Sequence, residues 1–293
     1  MKDFEYFAPK TVGESLSLLS QYKGEAKIIA GGQSILVVMR QGLLAPEYVV
    51  DIKGISALDY LTYEEREGLK IGALTTHRTI EKSPLVQRHF KVLSEMERNL
   101  ATIQTRNWGT IGGNLCHGDP SGDPAPVLIA LNARLKLIRQ GQERMVEMEA
   151  FSKDILEVNL EPDEMLSEIQ IPNPKPHTGT AHEKLMVMQG DAGIVGAAVS
   201  ITLKPGDGVC ENARIVLSNA SSVPLRVREA EKKLIGKVID DHLLTEAGEV
   251  ATTEADPPSD VHGSAEYRKE MLKVFVRRVA KKAFERAKTI GTN

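Results

Sequence analysis

Two glycine pairs, each flanked by polar side chains, are the segments of this sequence best suited to hold a phosphate group. The first lies in the run Ala30-Gly31-Gly32-Gln33-Ser34, directly after a short apolar segment. Adjacent glycines remove the side-chain bulk that keeps a ligand from the backbone, and their N–H groups then converge on an anion. The serine adds a hydroxyl and the glutamine an amide. A tight turn between a strand and a helix would give the same pattern.

The second glycine pair lies in the run Thr110-Ile111-Gly112-Gly113-Asn114. It predicts a second glycine turn, and it leads into a polar stretch at 115–124 that is rich in turn-forming residues. An apolar segment follows at 125–131, and long polar loops beside apolar elements often carry function. Neither pair is specific alone. Together they predict two backbone cradles for a pyrophosphate.

Other common cofactor and metal motifs are missing from the sequence. It has no G-x-G-x-x-G fingerprint and no phosphate-binding G-x-x-x-x-G-K-[ST] loop, so a nucleotide must be held in another way. Its two cysteines, Cys116 and Cys210, are too few for an iron–sulfur cluster or an all-cysteine zinc site. The pair Cys116-His117 has no third ligand nearby, so we predict neither a metal site nor a catalytic nucleophile. His77 and His182 are interpreted as surface or hydrogen-bonded core histidines.

The composition indicates a globular protein of about two domains. The 293 residues carry 37 basic and 40 acidic side chains, a net charge of −3, which argues against a nucleic-acid partner. No stretch approaches the roughly 20 apolar residues of a membrane span. The first residues lack the apolar core of a secretory signal. We therefore expect a cytoplasmic protein with no membrane span.

The apolar patterns predict the elements that position the glycine segments. Strands are predicted at 26–30, 48–52, 69–74, 133–139, 168–171, 193–203 and 213–217. Helices are predicted at 11–22, 84–103 and 225–235, with a final helix of about 23 residues that includes 271–287. Three prolines at 172–176 predict a semi-rigid linker.

The sequence resembles the FAD-binding medium subunits of the molybdenum hydroxylases, which include the medium subunit of aerobic carbon monoxide dehydrogenase. The matching motifs are AGGQS at 30–34, TIGGNLCHGDPSGDP at 110–124 and SAEYRKEMLKVFVRR at 264–278. The segments FEYFAPKTVGESLSLL, LKIGALTTH at 69–77 and SNASSVPLR at 218–226 also fit. The resemblance covers essentially the whole chain.

This resemblance implies an α+β fold with two domains. Residues 1–175 would form a two-lobed FAD-binding domain of the p-cresol methylhydroxylase type, with lobes at about 1–55 and 56–175. Residues 176–293 would form a smaller C-terminal domain of the carbon monoxide dehydrogenase flavoprotein type, with an antiparallel sheet and helices.

The resemblance also implies a role in electron transfer. A large partner subunit would hold the molybdopterin cofactor, and a small partner would hold two [2Fe-2S] clusters. FAD on this chain would pass the electrons to an external acceptor, within a heterotrimer that pairs into a dimer of heterotrimers. Two alternatives stay open: a stand-alone flavin reductase of the same fold superfamily, such as the enolpyruvyl-UDP-glucosamine reductases, and a scaffold subunit that has lost FAD.

The resemblance assigns binding roles to both glycine segments. Residues Ala30, Gly31, Gly32, Gln33 and Ser34 would wrap the FAD pyrophosphate. The second side of the cofactor would be lined by Thr110, Ile111, Gly112, Gly113 and Asn114.

Three residues outside the glycine segments also match cofactor-binding positions. Asp123 would accept a hydrogen bond from a sugar or ribityl hydroxyl, although a helix cap before Pro124 is an alternative. Leu166 would approach the flavin, or simply pack in the core. Lys184 would reach the flavin ring, or lie on the surface.

The sequence departs from the family pattern at Ala192, where relatives often place an aromatic residue directly after an aspartate. If that aromatic residue screens part of the flavin, the ring is more open here, which leaves the acceptor and the reactivity with oxygen undetermined. The hydroxybenzoyl-CoA reductases carry an additional four-cysteine cluster in this subunit. With two cysteines, this chain is not of that type.

Overall fold

The computed structural model describes residues 2–206 and 208–290. Its N-terminal segment forms a small parallel sheet flanked by helices. Its elements are β1 (Glu5–Phe7), α1 (Val12–Gln21), β2 (Ala26–Ile29), α2 (Ile35–Arg40) and β3 (Tyr48–Asp51). The central strand is β3, which pairs in parallel with both β1 and β2. Because parallel strands end at the same edge of a sheet, the first glycine segment, which follows β2, emerges beside the end of β3.

The next segment builds an antiparallel sheet covered by short helices. Its first elements are β4 (Leu61–Glu64), β5 (Gly68–Gly72), α3 (His77–Lys82), α4 (Pro84–His89), α5 (Lys91–Asn99), α6 (Ile103–Trp108), α7 (Ile111–His117) and α8 (Pro124–Ala130). The strands that follow are β6 (Arg134–Arg139), β7 (Gln142–Glu147), β8 (Ser152–Asp154), β9 (Glu157–Val158) and β10 (Met165–Ile171). The sheet order is β4-β5-β10-β6-β7, and β8 pairs with β9 beside it. The predicted strands at 69–74, 133–139 and 168–171 correspond to β5, β6 and β10.

The single helix predicted over 84–103 is wrong, because the chain breaks twice within it. Phe90 leaves the helical region (ψ 52°) and is buried in the core. At the second break Ala101 adopts a positive φ of 44°. The buried Arg106 fixes this second turn, since its Nη1 donates to the carbonyl oxygens of Leu100 (2.6 Å) and Ala101 (2.8 Å). A periodicity of apolar residues does not reveal such a turn.

The turn predicted at the second glycine pair is also wrong. Gly112 and Gly113 lie in the first turn of α7, which Thr110 caps by accepting a hydrogen bond from the Gly113 N–H (3.1 Å). A methyl group at Gly112 would lie 2.6 Å from the carbonyl oxygen of Ala73. The glycine is therefore required for close packing of α7 on the chain after β5.

The C-terminal segment is an antiparallel sheet covered by helices on both faces. Its elements are β11 (Thr178–Leu185), β12 (Val195–Leu203), β13 (Cys210–Ser218), β14 (Leu225–Arg226), α9 (Arg228–Leu234), α10 (Asp241–Ala251) and α11 (Ala265–Ile290). The sheet order is β11-β12-β13-β14. The helix predicted at 225–235 is wrong at its start, because the first two residues form β14 and α9 begins at Arg228. The final helix is longer than predicted.

The alternation of side chains along β12 shows how this sheet joins the rest of the molecule. Val199 and Ile201 pack with α9, α10 and α11 in one core, whereas Ala198 belongs to the core of the preceding segment. The helix α8 covers that second face. Arg286 on α11 also pairs with Glu95 on α5 at 2.8 Å. The predicted domain boundaries at 55 and 175 stay predictions.

The motif SAEYRKEMLKVFVRR forms the start of α11 and its junction with the sheet. Arg268 in this motif is fully buried. Its Nη1 donates to the carbonyl oxygen of Ile194, and its Nη2 donates to Asp260, each at 2.6 Å. This arginine therefore fastens α11 to the start of β12. Among the described residues, no helix combines the length and the apolar character needed to span a membrane.

Candidate cofactor site

A cavity of about 790 Å³ lies where the three segments of the fold meet. Its volume is within the range of small-molecule and cofactor sites. Of the residues predicted to bind the cofactor, those that line the cavity are Ala30, Gly31, Gly32, Gln33, Ser34, Thr110, Gly112, Gly113, Asn114, Asp123, Leu166 and Lys184. Ile111 does not line it, because its side chain is fully buried in the core beneath α7. The fold therefore brings together segments that are far apart in sequence.

The first glycine segment forms a loop with free backbone donors. Gly32 has a positive φ of 71°, and a methyl group at Gly31 would overlap the carbonyl oxygen of Trp108. Among the described residues, no acceptor pairs with the N–H groups of residues 31–34. The Gln33 amide instead donates to the carbonyl oxygen of Gly31 (2.9 Å). Free N–H groups on a loop with a positive φ form a concave site suited to an anion.

The second glycine segment contributes space and a side chain rather than backbone donors. Its N–H groups are used within the protein, since Gly112 donates to the carbonyl oxygen of Ala73 and Asn114 donates to that of Thr110, each at 3.0 Å. Gly113 is exposed at the cavity wall. The Asn114 side-chain amide has no partner among the described residues. Of the two predicted cradles, only the first offers free backbone amides.

Asp123 and Lys184 form a buried ion pair at the cavity wall. The distance from Lys184 Nζ to Asp123 Oδ2 is 2.6 Å, and the two side chains are 3% and 5% exposed. Asp123 precedes α8, but its side chain makes no capping hydrogen bond. Its other oxygen, Oδ1, is buried and has no hydrogen-bond partner within the described chain. A buried acceptor without a partner is costly, and Oδ1, which lies 3.9 Å from the Nε2 of His182, an atom likewise unpartnered among the described residues, would gain a partner from a ligand hydroxyl.

Lys184 also holds the loop at 186–193 against the cavity. Its Nζ donates to the carbonyl oxygen of Asp191 at 2.8 Å. The next residue, Ala192, lines the cavity together with Gly190. Gly190 has a positive φ of 94°, and a methyl group there would lie 2.8 Å from the carbonyl oxygen of Ala101. The Lys184 ammonium group thus connects the cavity wall to the loop that contains Ala192, where the sequence departs from the family pattern.

Two titratable groups near the cavity are held in their neutral forms. Burial raises the pKa of the Cys116 thiol to about 12, so it is protonated at neutral pH and is not an activated nucleophile. Burial also lowers the pKa of His182, whose Nε2 lies 3.9 Å from Asp123 Oδ1. The described residues contain no cluster of three or more potential metal-ligating side chains.

His77, interpreted from the sequence as a surface or hydrogen-bonded core histidine, is a buried residue of the cavity wall. His77, which begins α3, lines the cavity, and its Nδ1 lies 2.8 Å from Oε2 of the fully buried Glu97. Burial raises the pKa of Glu97. Nothing in the sequence links these two residues, since they lie on different helices, and only the packing of α3 against α5 brings them together.

Two family models match this chain. One, described as the FAD binding domain in molybdopterin dehydrogenase, matches residues 2–174. The other, described as the CO dehydrogenase flavoprotein C-terminal domain, matches residues 181–283. The chain belongs to the molybdenum hydroxylase flavoprotein family. The resemblance drawn from the motifs is thereby confirmed, as is the α+β fold.

Individual members of this flavoprotein family match over nearly the full length. The medium chain of carbon monoxide dehydrogenase from Hydrogenophaga pseudoflava is 35% identical, with 97% of this chain and 98% of that protein covered. The 6-hydroxypseudooxynicotine dehydrogenase complex subunit alpha from Paenarthrobacter nicotinovorans is 33% identical, with 97% and 96% covered. A solved carbon monoxide dehydrogenase from Hydrogenophaga pseudoflava superimposes with a TM-score of 0.93, with 97% of this chain and 98% of that chain covered. The protein is therefore an oxidoreductase subunit.

The donors and acceptors of the cavity fit FAD. The free N–H groups of residues 31–34 suit a pyrophosphate, and the unpartnered Asp123 Oδ1 suits a ribose or ribityl hydroxyl. Leu166 supplies an apolar wall, with a side chain that is 3% exposed in the described chain. These side chains and amides would hold the cofactor without a Rossmann fingerprint.

The acid stability of this flavoprotein should depend on an ion pair at the cavity edge. Arg144 donates to both oxygens of Glu164, at 2.7 and 2.6 Å, and holds the pKa of that carboxyl below its ordinary value of 4.5. Because the folded-state pKa is the lower one, the pair stabilises the fold above about pH 4.5, and this contribution is lost as the pH falls below it. We expect E164Q to lower the free energy of unfolding by about 1–3 kcal/mol at pH 7. It should also reduce the loss of stability on acidification.

Chemical denaturation at several pH values between 3 and 7 measures both effects. The exposed Glu143, which pairs with Lys136 at 2.7 Å, provides a matched control. E143Q should behave like the wild type, because solvent screens exposed pairs. Equal pH profiles for E164Q and the wild type would contradict the prediction.

Proposed function

We propose that this chain is the FAD-binding electron-transfer subunit of a heterotrimeric molybdenum hydroxylase. The observation that carries the proposal is the cavity, in which both glycine segments meet the buried pair Asp123–Lys184. FAD, when bound, supplies the ability to accept and release electrons singly or in pairs. No acid or base on this chain is needed for that task, so we assign no catalytic residue.

The residues of this chain bind and orient the cofactor. The N–H groups of residues 31–34 would hold the pyrophosphate, and Asp123 Oδ1 would accept from a hydroxyl. Lys184 Nζ has three N–H groups, of which two donate to Asp123 and to the Asp191 carbonyl oxygen. The third would point a positive charge at the flavin ring, where it favours added negative charge.

We place the source of the electrons on a partner, because the described residues contain no group of three or more side chains that could hold a metal centre. We assign two [2Fe-2S] clusters to a small partner subunit and a molybdopterin cofactor to a large one. A relative carries the name of a medium chain, and another is called a subunit of a dehydrogenase complex. We further propose a dimer of heterotrimers in the cytoplasm. The substrate would be selected in the large subunit.

We expect this chain to determine which external electron acceptor reaches the flavin, and Ala192 affects that access. This small residue lines the cavity where relatives often carry an aromatic side chain. We propose that the flavin is more accessible here than beneath such a side chain. An external acceptor would then approach over the loop at 186–193.

The test is to purify the chain from its native host with everything that co-purifies, and to record a visible spectrum and a subunit gel. We expect flavin absorption overlaid with iron–sulfur absorption, and a small and a large partner band. A flavin spectrum on a single subunit would instead support a stand-alone flavin reductase. A folded native complex that takes up no added FAD would contradict both flavoenzyme interpretations and support the scaffold subunit.

A further inference from the structure

His77 and Glu97 form a buried pair that the proposed relay does not use. Their side chains are 3% and 0% exposed, and His77 Nδ1 lies 2.8 Å from Glu97 Oε2. The contact is not aligned as a hydrogen bond, and within the described part of the chain neither Nδ1 nor either Glu97 oxygen has another partner. A fully buried carboxylate beside one imidazole is costly to maintain, so the pair calls for a role beyond packing.

The position of His77 places its free edge beside the first glycine segment. A methyl group at Gly109 would lie 3.2 Å from His77 Cδ2 and 3.5 Å from Gln33 Cγ, so these two side chains flank the same small space. In imidazole Nε2 is bonded to Cδ2, whereas Nδ1 is not. Nε2 is therefore on the ring edge near Gln33, and Nδ1 is on the edge near Glu97. The described residues supply no partner for Nε2, and His77 lines the cavity.

The pair with Glu97 presents Nε2 as a hydrogen-bond donor when the two groups together hold two protons. The pair is electroneutral when one proton lies between Nδ1 and Oε2 and a second proton is on Nε2. Whichever group of the pair holds the first proton, Nε2 carries an N–H that faces the cavity. A carboxylate beside one imidazole nitrogen orients the ring, as it does for metal-binding histidines.

The charged groups around Glu97 are largely paired with one another. Arg106 acts on Glu97 from α6, but its guanidinium is committed to Glu81 and to two carbonyl oxygens. Asp123 adds negative charge near Glu97 from the start of α8, and its Oδ2 is paired with Lys184. Gln33 faces the space from the loop.

We propose that His77 is a binding residue for the FAD pyrophosphate, with Nε2–H donating to a phosphate oxygen and Glu97 positioning the ring. This inference rests on the proposed function, because it needs FAD in the cavity. The phosphate would then be held from two sides, by the N–H groups of residues 31–34 and by the imidazole. Charge-assisted hydrogen bonds of this kind are among the stronger ones in proteins.

The experiment is a titration of the flavin-free full-length chain with FAD, followed by the quenching of flavin fluorescence, for the wild type, H77L, H77Q and E97Q. We expect H77L to weaken FAD binding about 10- to 100-fold, because a hydrogen bond to a charged group is lost. H77Q keeps a donor and should lose only about threefold. E97Q should fall between the two. The ³¹P NMR spectrum of bound FAD should show at least one shifted phosphorus signal in H77L.

His89 on α4 provides the matched control. It stacks on Tyr63 at 4.1 Å and does not line the cavity. H89L should bind FAD like the wild type and leave both phosphorus signals in place. If H77L does not fold, H77Q and E97Q carry the test through the same two readouts.

The outcomes separate this inference from the proposed function. A wild-type chain that takes up no FAD would overturn both. A wild-type chain that binds FAD, together with H77L or H77Q that binds equally well with unchanged phosphorus signals, would overturn only the role of His77. A weaker affinity with unchanged phosphorus signals would assign His77 a merely structural role, and would also overturn the inference.

Discussion

Replacement of Gly31 by alanine should severely weaken FAD binding. The new methyl group would overlap the carbonyl oxygen of Trp108, which is backbone and cannot rotate away. The loop at 30–34 would have to move, and its free N–H groups would no longer converge on the pyrophosphate. We expect the affinity for FAD to fall by about 100-fold or more, which corresponds to two lost hydrogen bonds to a charged group. Flavin titration of the purified G31A chain measures the effect.

Gly13 provides the control for this substitution. It lies in α1, and a methyl group there meets nothing within 4 Å. G13A should bind FAD normally and gain up to about 1 kcal/mol of stability, because alanine favours a helix over glycine. If G31A bound FAD within a few-fold of the wild type, the loop would not be the phosphate site.

Disruption of the buried pair Asp123–Lys184 should produce the second large effect, on stability. Both side chains are 5% exposed or less, so removal of one partner leaves the other charge buried without compensation. We expect D123A and K184M each to lower the free energy of unfolding by about 3–5 kcal/mol. The double variant should lose much less than the sum, because no unpaired charge remains. Urea denaturation of the flavin-free chain measures all three.

A surface ion pair provides the control for this comparison of single and double variants. Lys232 and Glu229 are 2.6 Å apart on α9, with side chains 68% and 58% exposed. Their single substitutions to alanine should each cost less than about 1 kcal/mol. Additive losses for Asp123 and Lys184 would mean that the two charges do not depend on each other.

The sequence predicts the strands of this fold better than its short helices. Alternating or continuous apolar runs identify β2, β3, β5, β6, β10, β12 and β13, because each of these strands has at least one face in a core. They leave β1, β4, β7, β8, β9, β11 and β14 unidentified. The same method joins α4 and α5 into a single helix that runs to the start of α6. The breaks at Phe90 and Ala101 depend on burial in the core and on hydrogen bonds from Arg106. Such tertiary contacts leave no periodic pattern.

The sequence predicts which residues line the candidate site, but not which of their groups are free to bind a ligand. The glycine motifs and the family resemblance select residues that line one cavity, apart from Ile111. They do not distinguish the loop at 30–34, with free N–H groups, from α7, whose N–H groups are already used. That difference arises from how the chain pairs with Ala73 and Thr110. The roles of the individual residues toward FAD stay predictions.

The pairs that complete the site could not be predicted from the sequence. Asp123 and Lys184 are 61 residues apart, and Lys184 belongs to a different segment of the fold. His77 and Glu97 lie on separate helices, and their contact follows from the packing of α3 against α5. A single sequence contains no information on such distances.

The cavity is walled by segments from both ends of the chain, with the loop at 30–34 on one side and Lys184 with the loop at 186–193 on the other. A cofactor held there would act as a non-covalent cross-link between the C-terminal segment and the rest of the fold, which otherwise meet through the packing of α5 and α8 on the C-terminal sheet and through ion pairs such as Arg286–Glu95. At a free concentration 100 times its dissociation constant, a ligand adds about 2.7 kcal/mol to the free energy of unfolding. Occupancy of the cavity would therefore lower the unfolded fraction of the polypeptide by about 100-fold.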